Sequence, residues 1–190
     1  MERTYIEDQN FDNIDFSEQR LTEADYENCV FIVCNFSGVN LAKISFSECR
    51  FIDCNLSMVK LSGTTLRDIQ FEGCKLLGLH FEDCSDSLFS VSFDNCILNL
   101  SSFYKRKLKK TIYKNCSLHE VDFTEADLSL AQFDNCDLNR ATFINTNLEK
   151  ADFRSAYNYT IDPEQNRIKK ARFSLDGVAG LLHKYDIEIG

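Results

Sequence analysis

A five-residue beat dominates this sequence. In Glu120–Leu138, EVDFTEADLSLAQFDNCDL, large residues fall at Phe123, Leu128, Phe133 and Leu138. Two places before each stands a smaller one: Val121, Ala126, Ala131 and Cys136. Five is neither the two-residue period of a strand nor the 3.6-residue period of a helix. With the large centre called i, centres run every fifth residue from Phe11 to Phe81 and again from Phe93 to Phe153. All 28 centres are Phe, Leu or Tyr. The step from Phe81 to Phe93 is two residues too long for the beat, which places an insertion, read as a small bulge, at 84–88 within CSDSL.

A longer period lies inside the short one. Phe11, Phe31, Phe51 and Phe71 are twenty apart, as are Phe93, Tyr113, Phe133 and Phe153. A coil with four sides of five residues would stack like on like, whereas a three-sided coil would mix Phe with Leu in the second half. Positions i and i−2 then point inward, and i−1, i+1 and i+2 face water. With a coil-to-coil rise of about 4.8 Å, seven coils would span roughly 34 Å, each touching only its neighbours. Only seven Gly and one Pro in 190 residues argue against a stack of ordinary hairpins.

The segments EADLS, NCDLN, NTNLE and KADFR resemble the pentapeptide-repeat family, whose consensus is A[DN]LXX. The resemblance implies an all-β fold, a right-handed quadrilateral β-helix of about seven to eight coils, here with a short C-terminal α-helix. The expected organisation is an N-terminal cap over 1–10 and the β-helix over 11–153, with its register shift at 84–88. An irregular last coil over 154–173 and a C-terminal helix and tail over 174–190 complete it. Pro163 falls at a would-be centre of that last coil, where a turn is expected to replace a packed side chain. Ser174 is a plausible N-cap, and Leu175, Val178, Leu182 and Tyr185 follow helical spacing. Gly177 and Gly180 would each cost such a helix about 1 kcal/mol, so it needs a packing partner.

Nine cysteines could suggest metal or redox chemistry. All of them occupy i−2, where Cys serves as a small buried hydrophobe; no metal or cofactor is expected. His80, His119 and His183 are isolated and no Gly-rich phosphate loop is present, so no enzyme activity is expected. The start MERTYIEDQN lacks the pattern of a signal peptide and no run approaches a membrane helix. The expected location is the cytoplasm, away from membranes.

Charge is uneven. Residues 1–90 carry 16 acids and 7 bases, so they account for the whole net charge of −9. Glu48, Asp53, Asp68, Glu72, Glu82, Asp83, Asp122, Glu125, Asp127 and Asp137 are the candidate acidic surface. Such a surface repels nucleic acid and favours a basic partner, or it serves solubility alone. The one basic cluster, YKRKLKKTIYKN, offers Arg106, Lys107, Lys109 and Lys110 as contacts to an acidic partner or nucleic acid, against the plainer reading of a solvated face. Arg106 stands at i−2, where burial of a guanidinium is costly, so the coil is expected to deform and let it out.

The ending GLLHKYDIEIG and the stretch SLHEVDFTEADLSLAQF resemble the Qnr quinolone-resistance group, with the McbG immunity protein and the mycobacterial fluoroquinolone-resistance protein as relatives. That resemblance implies a homodimer paired through the C-terminal segment, with Leu175, Val178, Leu181, Leu182, Tyr185 and Ile187 at the interface. It also implies a DNA-mimicking rod that binds DNA gyrase or topoisomerase IV and protects against quinolones or gyrase-targeting toxins. The absence of the longer loops of several group members makes binding the safer expectation than resistance. The alternative is a repeat scaffold with another partner.

Overall fold

The computed structural model describes residues 4–188. The chain winds into a β-solenoid of about eight turns, with every strand pair parallel, and ends in one short helix. Nine strands stack on the first face, from Asn10–Asp12 to Arg172–Phe173. Thr4–Glu7, Ala24–Glu27, Ser45–Ser47 and Thr65–Arg67 form a second sheet. The twenty-residue beat is the pairing register: Phe11 lies beside Phe31, and Tyr113 beside Phe133. Single bridges at the same spacing continue the other sides, such as Asp15 to Asn35 and Lys107 to Asp127.

We number the four faces by their centres. The first runs from Phe11 to Phe173, the second from Phe16 to Leu138 and the third from Leu21 to Phe143. The fourth runs through Ile6, Tyr26, Phe46 and Leu66, then Leu108, Leu128, Leu148 and Ile168. Rings stack up one face and meet edge-on around a corner. Tyr113 and Phe133 stack with centroids 4.9 Å apart, while Tyr26 of the fourth face meets Phe31 of the first at 62°. Both arrangements suit the aromatic quadrupole.

The i−2 slots explain the choice of Cys. Cys54 donates its thiol towards the carbonyls of Phe31 and Ile52 at 3.4 and 3.3 Å. Thr64, Ser101 and Thr146 make the same reach with hydroxyls, to Leu41, Leu76 and Phe123. A slender side chain with a hydrogen to give fills the slot and satisfies a carbonyl. All nine cysteines are free and buried, and burial pushes the Cys49 and Cys84 thiols up to about 12.

Corners are turned at i+2 in the left-handed region. Among the described residues twenty-five non-glycine residues have positive φ, including Val33 at 51° and Leu130 at 62°, against four glycines. The hydrogen-bonded neighbour coils over-determine this conformation, so the chain turns its corners without a glycine at each one.

Two stretches depart from the beat. After Phe71 the partner is Phe93, twenty-two residues on, and the two extra residues swell the fourth face at 84–90. Here one expectation fails. Arg106 does not swing out but stays buried, 4% exposed. Its guanidinium donates to the carbonyls of Cys84 (3.2 Å) and Ser85 (3.1 Å) and to the Asp86 carboxylate (2.6 Å). It also lies 4.1 Å over the Phe89 ring. The bulge supplies acceptors, a counter-charge and an aromatic face, which together offset desolvation.

The second departure is the last coil, where the inward residues slip to Ala156, Tyr159 and Ile161. Pro163 therefore does not occupy a core position. The tail packs over this end of the solenoid as a helical turn Asp176–Val178, the helix Ala179–Leu182 and a further turn His183–Tyr185. The Ser174 hydroxyl accepts from the Gly177 amide at 3.0 Å. A Cβ at Gly177 would come within 2.0 Å of the Tyr159 hydroxyl, and one at Gly180 within 2.2 Å of its carbonyl. Both glycines exist to let the tail sit on Tyr159.

Candidate interaction surface

The ten candidate carboxylates spread over all four faces. Glu48 and Asp68 stack one coil apart on the corner of the fourth face, and Arg67 stands 3.9 Å from Glu48 and 3.8 Å from Glu27. Asp53 sits on the corner of the first face and Glu72 at the end of the strand Ile69–Glu72 on that face, 3.4 Å from Arg50. Glu82, Asp83, Asp122 and Glu125 belong to the third face. Glu82 meets His80 at 2.9 Å, and Glu125 meets Lys105 at 3.5 Å. Asp127 is on the fourth face and Asp137 on the second. No single strip of free charge collects them.

Three of these acids also do local work. Asp122, Asp127 and Asp137 each accept the amide two residues on, at 2.8, 3.0 and 3.1 Å. The Asx turn shapes the corner, which explains why Asp or Asn recurs at i−1. Burial pushes the Asp137 carboxyl up, but hydrogen bonds from Asn158 and His119 outweigh it and leave it below its ordinary value. A hydrogen bond from Lys114 likewise holds Asp94 low.

Lys107, Lys109 and Lys110 are exposed on the fourth face, whereas Arg106 is committed to the bulge. The twenty-residue offset adds residues not anticipated from YKRKLKKTIYKN alone. Lys150 is exposed on the same face two coils further on, and Lys169 and Lys170 three coils further on. The other half of that face carries Glu7, Asp8, Asp25 and Glu27 beside Glu48 and Asp68. Folding the sequence at twenty would have revealed both groups.

In the tail, Leu175 is 90% exposed, and Val178, Tyr185 and Ile187 also face solvent. Leu181 packs against the core instead, and Leu182 is half-buried. Lys184 clamps the tail to Asp162 at 2.8 Å and Glu164 at 2.6 Å, and the Tyr185 hydroxyl donates to Glu164 at 3.0 Å.

Concavities of about 490 Å³ lie at each end, one lined by Phe16, Glu18, Arg20 and Glu23, the other by Tyr159 and the tail glycines. Among the described residues no group of three or more His, Cys, Asp or Glu converges as a metal site, and no helix is long and apolar enough to cross a membrane.

The family model described as "Pentapeptide repeat region" matches residues 24–85 and 86–158. No curated protein matches the chain. Among solved structures, HetL from the cyanobacterium Nostoc, a pentapeptide repeat protein involved in heterocyst differentiation regulation, is similar at 17% identity. The match has a TM-score of 0.58 and covers 92% of this chain and 88% of HetL. A trypsin-treated form of QnrB1, a plasmid-mediated fluoroquinolone resistance protein, is 19% identical with a TM-score of 0.43, covering 98% of this chain and 100% of the other. Both likenesses are distant.

Proposed function

This chain belongs to the pentapeptide-repeat family, and from that premise we propose that it is a non-enzymatic binding rod for a DNA-handling protein. Its first partners to test are DNA gyrase and topoisomerase IV. The observation that carries the reading is the acid of the first half: residues 1–90 hold the entire net charge of −9. On a four-sided coil those carboxylates stand at solvent-facing positions, where they compete with DNA phosphate for a basic groove. The Qnr-like ending and the SLHEVDFTEADLSLAQF stretch narrow the partner to type II topoisomerases. In this reading the protein shields them from quinolones or toxins. It pairs as a homodimer through Leu175, Val178, Tyr185 and Ile187, with Leu181 and Leu182 holding the tail to its own solenoid.

The test is gyrase supercoiling with and without ciprofloxacin, together with capture of gyrase and topoisomerase IV subunits on the immobilised protein. Inhibition of supercoiling or rescue from the drug supports the reading; no capture and no change in supercoiling ends it. A scaffold for a different partner is the second reading. The observation that favours it is the spread of the ten carboxylates over four faces, with Asp122, Asp127 and Asp137 engaged in turns.

A further inference from the structure

The fourth face is divided in two by the bulge. In the four coils before it, residues 5–8, 25–28, 45–48 and 65–68 hold six acids and one base, a net of −5. In the four after it, residues 107–110, 127–130, 147–150 and 167–170 hold seven bases and two acids, a net of +5. Lys107, Lys109, Lys110, Lys150, Lys169 and Lys170 are all exposed. None of the six makes an ion pair among the described residues.

We propose that this face is a self-association surface, on which a second copy of the chain lies antiparallel. A two-fold axis at the level of the bulge brings each acidic half onto the basic half of the other copy. Such an interface is isologous and closed. Lys169 and Lys170 then stand opposite Glu7 and Asp8, and Lys110 opposite Asp68. Leu88, 67% exposed at the centre of the bulge, meets Leu88 of the other copy. A parallel copy in register would set like charge on like. A nucleic acid running along the face would leave the lysines and cross the acidic half, on a chain already at −9, whereas the second copy sets opposite net charge together at 5–8 and 167–170 and like charge only at 45–48 and 127–130, where Glu48 faces Asp127. Most of the contact is between exposed charges, so the pairing is weak and salt-sensitive.

Sedimentation of the full chain at about 50 mM and about 1 M NaCl tests this, because the screening length falls to about 3 Å at 1 M. In the variant Leu175→Asp, Ile187→Asp, which removes the exposed apolar tail contact and leaves one such face per molecule, the expected mass at low salt is twice that at high salt. An apolar contact through the tail does not weaken with salt, and a gyrase result of either sign leaves this measurement untouched. Zero-length carbodiimide coupling at low salt is expected to join Lys169 or Lys170 to Glu7 or Asp8. Within one chain these groups are eight coils, about 38 Å, apart, so the link can only join two copies. The quadruple variant Lys109→Glu, Lys110→Glu, Lys169→Glu, Lys170→Glu is expected to lose both doubling and link. Mixing it with Glu7→Lys, Asp8→Lys, Glu48→Lys, Asp68→Lys restores the doubled mass. Equal mass at both salts, growth beyond a doubling, or retention of a short DNA duplex with no change in protein mass would each overturn the proposal.

Discussion

The regular coils and the two irregular ones solve the same packing problem in different ways. In a coil such as the one holding Phe123 and Phe133, the inward positions are apolar or slender and each ring stacks on its like, 5.4 Å from Phe103 and 4.9 Å from Tyr113. At the bulge an arginine occupies an inward slot and is held by backbone carbonyls, a carboxylate and a ring. At the C-terminal end the inward register slips to Tyr159 and Ile161, and a tail seals the opening. Repetition makes the core cheap to specify. Each exception survives only because a matching exception lies beside it.

The largest effect is expected where repetition is broken from within. Phe133→Ala opens a hole in the first-face stack and is expected to cost about 3–5 kcal/mol, read as a lowered denaturation midpoint. At the bulge the cost is expected to be smaller and conditional. Arg106→Ala strands the carbonyls of Cys84 and Ser85, at about 1–3 kcal/mol for unsatisfied buried acceptors. Removing Asp86 and Ser87 as well returns that coil to twenty residues, and the combined variant is expected to recover most of the loss. Additive losses would mean that arginine and bulge are independent, and the comparison would break.

How much of this was legible follows from the physics of each level. The period of five and its multiple of twenty are statements about side-chain packing, so the turn, the pairing register and the buried set could be read from Phe, Leu and Cys positions. The reading of Cys136 as a filler holds for the same reason. Arg106 was misread because its burial depends on carbonyls twenty-two residues away, which only the inserted coil aims inward. The slip to Tyr159 depends likewise on the tail that covers it. The surface was the least legible part: Lys169 and Lys170 join Lys109 and Lys110 only when the chain is folded at twenty. The Asp and Asn residues at i−1 look like displayed charge until their amide partners two residues on are seen.

The last coil sharpens the comparison at intermediate cost. Gly177→Ala or Gly180→Ala drives a methyl into Tyr159 and is expected to cost about 1–3 kcal/mol of tail docking, the usual range for overpacking. Hydrogen exchange should show lost protection at 175–185 and unchanged protection in the sheet around Phe123; a uniform loss would make the tail part of the solenoid's own cooperative unit. A smaller effect of opposite sign is expected at a regular corner. Val33 is β-branched at a φ of 51°, and Val33→Asn should raise stability by up to about 1 kcal/mol, since Asn tolerates this region far better. No gain would show that the neighbouring coils already absorb the strain.

The smallest effect is a pH dependence confined to the tail. The Lys184 hydrogen bond holds the Asp162 and Glu164 carboxyls below their ordinary values of 3.8 and 4.5. A carboxyl whose folded value is depressed contributes fully above its ordinary value, and loses that contribution as pH falls through the folded one. Docking should therefore be constant from pH 8 to about 5 and weaken only below about 4. The Glu164 carboxylate is open to water and that of Asp162 partly so, so the change is slight, and it belongs to the tail rather than to the stacked core. Exchange protection at Lys184 and Tyr185, corrected for intrinsic rates, should drop between pH 6 and pH 3, while protection at Phe123 and Phe133 does not. Lys184→Ala should remove that difference. If the acid-induced loss persists in Lys184→Ala, the lysine clamp is not its cause, and the Tyr185 hydrogen bond to Glu164 is the remaining titrating contact of the tail.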